Sequence, residues 1–137
     1  MPDRTLATSP TAALPRQVTP PSTLYRSGQA QLLANSLRTG ERRSARLIVA
    51  PPRDVASAQV RVRLSSGLRF SNQVVSGGSQ TVWRGTARKG HSIEVLLSLA
   101  GVTAGAQTVE VTVMEASRED GATVVGSETL IVSVLTR

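Results

Sequence analysis

The side chains best suited to moving a proton near neutral pH are one histidine, His91, and nine carboxylates. A nucleophile–histidine–carboxylate triad needs its three members in contact. Ser92 and Glu94 are close to His91 in sequence, but a strand sends neighbours to opposite faces, so His91 and Ser92 point apart. We read His91 as a structural or surface residue. The carboxylates are Asp3, Glu41, Asp54, Glu94, Glu110, Glu115, Glu119, Asp120 and Glu128. Sugar cleavage needs two of them across a cleft, and none has the aromatic support of a sugar subsite. Glu119-Asp120 falls in a polar turn, and calcium needs several converging oxygens. Ser76-Gly77-Gly78-Ser79 is glycine-rich but lacks the Lys-Ser/Thr and the helix of a phosphate loop. The absence of cysteine removes thiolate zinc sites, iron–sulfur clusters and cysteine nucleophiles. The expectation is a non-enzyme with no catalytic residue, no cofactor, no metal and no small-molecule substrate.

Arginine is the remaining functional signal. The net charge is +7, carried by fifteen Arg and one Lys. Residues 1–91 hold fourteen basic and three acidic side chains; residues 92–137 hold two and six. The candidate basic interaction face is Arg42, Arg43 and Arg46, Arg61 and Arg63, then Arg84, Arg88 and Lys89. If their strands share a sheet, their outer face is a basic stripe suited to carboxylate or phosphate. Against that stands cross-strand pairing with Glu94, Glu110 and other late acids. With one Trp, one Tyr and one Phe, base-stacking surfaces and aromatic cages have little to build on. Trp83 is expected in the core, with an interface as its other place.

The elements that position these residues read as β-strands. Residues 1–23, with Pro2, Pro10, Pro15, Pro20 and Pro21 among Ser and Thr, read as a disordered arm. Residues 24–137 form the domain. Within 24–37, Gln29 to Leu37 contains helix formers, yet its apolar residues equally alternate along a strand, which is the reading taken here. Next, Ala45, Leu47 and Val49 alternate with Ser44, Arg46 and Ile48 up to Pro51-Pro52. Val60, Val62 and Leu64 alternate with Gln59, Arg61 and Arg63. Phe70 and Val74-Val75 carry a short segment to the turn at residues 76–79. Thr81 to Arg84 closes at Gly85. Ile93, Val95, Leu97 and Leu99 follow, then Val109, Val111 and Val113. Arg118-Glu119-Asp120-Gly121 is a hairpin turn, and a last strand runs from Thr129 through Val134. Leu96 and Ile48 interrupt the alternation, which marks a locally covered outer face or a modest interface. Seven or eight short strands with frequent turns indicate an all-β antiparallel two-sheet sandwich.

Laid out this way, the chain shows Gly40-Glu41, Gly67-Leu68-x-Phe70, Val82-Trp83-Arg84-Gly85, Lys89-Gly90 and Gly105-x-x-x-Val109-x-Val111-x-Val113. This order resembles the immunoglobulin-like modules repeated in bacterial surface and secreted proteins, over roughly residues 36–135. His91-Ser92 after Gly90, and missing acidic calcium positions, depart from it. The resemblance implies an extracytoplasmic spacer, adhesion or assembly role and transfers no site residue. No run of about 18 apolar residues predicts a transmembrane helix, and no apolar stretch of signal-peptide form follows Arg4. The expected function is a structural or protein-interaction module that binds a protein partner or itself. The alternative is a basic accessory protein binding nucleic acid or another polyanion without sequence preference.

Overall fold

A computed structural model of the chain describes residues 23–117 and 121–137. The expected arm up to residue 22 and the turn residues 118–120 lie outside the described residues. Ten strands follow in order, with no helix among the described residues: β1 (Thr23–Ser27), β2 (Ala30–Ala34), β3 (Leu37–Arg38), β4 (Arg42–Val49), β5 (Val55–Leu64), β6 (Leu68–Phe70), β7 (Gly78–Ala87), β8 (Ile93–Gly101), β9 (Gly105–Ser117) and β10 (Gly121–Leu135). They form two five-stranded sheets. The first is ordered β3-β10-β9-β5-β7 and the second β1-β2-β4-β8-β6. The fold is therefore an all-β sandwich. Its strand pairs are antiparallel except for β3, which runs parallel to β10.

Alternation builds the interior. Ala45, Leu47 and Val49 of β4 are buried, as are Val60, Val62 and Leu64 of β5 and Val109, Val111 and Val113 of β9. Beta-branched valines dominate the inner face of the first sheet, where Leu130, Val132 and Val134 of β10 complete the layer. Leu32, Leu47, Leu68 and Leu99 line the second sheet opposite them. Each fully buried side chain contributes about 1.5–3 kcal/mol of transfer free energy against the cost of ordering it. No polar or charged residue is buried among the described residues.

Several boundaries differ from the sequence expectation. Thr23, assigned to the arm, is the first residue of β1. The stretch from 24 to 37 is three strands. Gly28, at φ +52°, starts a two-residue turn that folds β1 onto β2. Val74 and Val75 form no strand. They lie 96% and 74% exposed where the chain crosses from β6 in one sheet to β7 in the other. β7 runs through Gly85 rather than closing there, because Gly85 and Ala87 go on pairing with Ala58 and Val55 of β5, and the missing side chain leaves room for the Trp83 ring. A Cβ at Gly85 would lie 2.9 Å from Trp83 Cζ2. Trp83 itself is half-buried, packed on the core from the sheet's edge. Val82 is an extra residue in β7, opposite no partner between Val60 and Arg61, so Val82 and Trp83 both pack on the core. β10 begins at Gly121, eight residues before Thr129. A register shift opposite Val113/Met114 breaks its alternation.

Gly101 is fixed by a backbone crossing. Thr39 bridges to it in parallel, and the Gly40 N–H donates to its carbonyl at 3.0 Å. A Cβ there would stand 2.6 Å from the Arg38 carbonyl oxygen, so only glycine lets β3 pass between the sheets.

Candidate functional site

Because alternate residues of each strand are buried, the rest make two outer faces. On the second sheet the cross-strand register places Leu24, Leu33, Arg46 and Leu96 in one row. The next row is Arg26, Gln31, Ile48 and Glu94. On the other side of the leucine row lies Ser44–Ser98, and beyond it Arg42–Ala100–Arg69. Leu96 is 78% exposed and Leu24 47% exposed, with Leu33 half-buried between Leu24 and Arg46. A groove of about 220 Å³ runs among Leu33, Ser44, Arg46 and Leu96.

The outer face of the first sheet has another composition. Its rows are Ser79–Arg63–Glu110–Thr129, Thr81–Arg61–Thr112–Ser127 and Arg84–Gln59–Met114–Val124. The Thr112 and Ser127 hydroxyls meet at 3.4 Å. At the end of this face an open dish of about 680 Å³ is walled by Arg63, Ser65, Ser66, Ser76, Glu110 and Thr129.

The eight candidate basic residues do not form one stripe, because β4 belongs to the second sheet and β5 and β7 to the first. Arg42 and Arg46 lie on the outer face of the second sheet. Arg43, next in β4, points the other way and pairs with Glu41. Arg61, Arg63 and Arg84 lie on the outer face of the first sheet. Arg88 and Lys89 sit in the loop after β7, where the Asp54 carboxylate accepts the Lys89 N–H at 2.8 Å. The charge asymmetry along the sequence also does not become two poles. Acid-bearing β9 pairs with β5, and β8 pairs with β4, so early bases and late acids interleave. Arg63 reaches Glu110 at 3.9 Å and Arg46 reaches Glu94 at 3.8 Å. All four side chains are well exposed, so each pair contributes about 0–1 kcal/mol.

His91 is exposed in the β7–β8 loop, where its N–H donates to the Arg88 carbonyl at 3.0 Å. Among the described residues, no three His, Cys, Asp or Glu side chains converge as a metal site would require. No helix of the described residues is long and apolar enough to cross a membrane. Sequence reasoning missed Leu24, Arg26 and Leu33 as members of the second sheet's outer face. Their signal was present in the alternation of Leu24 and Arg26 with Tyr25, once β1 is separated from β2. Leu96 and Ile48, the two breaks in the pattern, both lie on this face. No family model matches the chain, and no curated protein matches it.

Proposed function

We propose that this chain is a non-catalytic interaction module of immunoglobulin-like type, which joins a larger assembly by binding a protein partner or a second copy through the outer face of its second sheet. The observation that carries this reading is the leucine row on that face. Leu24 and Leu33 stand side by side, Arg46 follows them, and Leu96, 78% exposed, closes the row and shares a groove with Leu33. Singly exposed apolar residues are ordinary, but a row of three with an arginine set among them has the composition of an interface core and its anchor. Two packed sheets and the motif order over residues 36–135 support the immunoglobulin-like assignment. That resemblance also supports a surface or secreted setting.

The polyanion alternative has a narrower base, namely Arg61, Arg63 and Arg84 on the hydroxyl-rich first sheet. It predicts retention on heparin that falls steeply with salt.

Light scattering across protein concentration and salt tests the main reading. Mass that grows with concentration in the wild type and stays monomeric in Leu96→Glu identifies a second copy as occupant. A monomeric wild type directs the same comparison to partner binding. Binding that Leu96→Glu leaves unchanged would remove the face from consideration.

A further inference from the structure

We infer that the outer flank of β8 takes up an added β-strand from an extended partner segment that alternates apolar and acidic side chains. This rests on the interaction reading and narrows it to a place and a chemistry.

The ladder between β6 and β8 stops short. The Val102 N–H donates to the Gly67 carbonyl at 2.8 Å, Arg69 lies opposite Ala100, and the Ser71 N–H donates to the Ser98 carbonyl at 2.9 Å. Rungs on one edge of a strand fall on every second residue, so the next belong to Leu96 and Glu94. Nothing among the described residues occupies them, because the chain turns away at Ser71-Asn72. The Gln73 N–H closes that turn on the Phe70 carbonyl at 3.0 Å, and Arg69 Nη1 donates to the Gln73 carbonyl at 2.9 Å. The departing loop is thereby held off the flank of β8.

Across the gap runs β7, an edge strand that among the described residues pairs only with β5. The groove between them has a volume of about 610 Å³ and is lined in part by Phe70, Gln80, Val82, Leu96 and Leu97. Its closed end is the Asn72 side chain, which accepts from Gln80 Nε2 at 3.0 Å. Val82, Trp83 and Val95 pack on the core yet stay partly exposed. An apolar-floored gap beside unused N–H and C=O groups is the geometry that strand addition fills. Charge selects the occupant. Arg42 lines the groove, its lining includes no carboxylate, and Arg46 stands opposite Leu96, reaching the Glu94 carboxylate at the next rung at 3.8 Å. A segment whose outward side chains are acidic meets those guanidinium groups, two against the one Glu94 carboxylate, and its inward apolar side chains meet Phe70, Val82 and Leu97.

The test titrates the full chain with a capped six-residue peptide alternating Val and Glu, against its Val–Lys counterpart, while amide exchange is followed. Strand addition slows exchange at Leu96 and Glu94 by about ten-fold or more at saturation. Leu96→Pro removes the outward N–H without taking a hydrogen bond from the pairing with β4, and it abolishes binding. Leu96→Ala keeps the protection and weakens binding a few-fold. Arg42→Glu weakens the Glu peptide by about ten-fold and favours the Lys peptide. Exchange is read on the wild type, so the outcome does not depend on Leu96→Pro folding. Binding without protection at Leu96 overturns strand addition and leaves the interaction face standing. No binding of either peptide at millimolar concentration overturns the inference, whereas failure of the interaction reading itself shows in the Leu96→Glu comparison.

Discussion

On the first sheet the two central outward rows run through Ser, Thr, Arg and Glu110, with Thr112 and Ser127 hydroxyls in contact. On the second they run through Leu24, Leu33 and Leu96, with arginines among them and beside them. The inner faces are far more alike, both aliphatic and both buried. Folding constrains the inward half of each alternation and leaves the outward half free. A difference confined to the outward half therefore reports on what each face meets. The first sheet does expose Ile131 and Val124, at 67% and 58%, but Ser127 and Thr129 separate them along β10. Val124 lies opposite Met114, and that pair runs on into Gln59 and Arg84 rather than into a further apolar residue, so neither group extends into a row of the second sheet's kind.

The largest expected effects concern what the two faces share. Leu99→Ala in the second sheet and Leu130→Ala in the first each cost about 2–5 kcal/mol in chemical denaturation, because both side chains are fully buried in one core. Loss from only one of them would break the symmetry of the interior. Gly101→Ala costs about 1–3 kcal/mol by the same measurement, since its methyl group meets the Arg38 carbonyl. Effects on the faces are smaller in stability and opposite in binding. Leu96→Glu leaves the melting midpoint nearly unchanged and weakens partner or self-association by about ten-fold or more, whereas Thr112→Glu changes neither. Smallest are the exposed ion pairs. Double-mutant cycles for Arg46–Glu94 and Arg63–Glu110 each give about 0.5 kcal/mol or less, and less again in high salt.

The central strands were legible because one face of each is buried along its length. Val60, Val62 and Leu64 in β5, and Val109, Val111 and Val113 in β9, carry the period without interruption. Legibility failed where the pairing that shapes an element is long-range. The β1–β2 hairpin turns on Gly28 within a stretch rich in helix formers, and the bulge in β10 interrupts its period. The face was half legible for a related reason. Leu96 and Ile48 broke the alternation and so announced themselves. Joining Leu96 to Leu24 and Leu33 required the order of strands in the sheet, and period two carries no record of sheet membership. The same gap divided Arg42 and Arg46 from Arg61 and Arg63.

The most direct measurement places a photocrosslinking residue at Leu96 and, in a separate protein, at Thr112, with the chain in its native cellular setting. The asymmetry of the two faces predicts one discrete adduct from position 96, a dimer or a single partner, which disappears when Leu24→Glu is added. It predicts none from position 112. Equal adducts from both positions, or an adduct from 112 alone, would contradict the assignment of the second sheet as the interaction face.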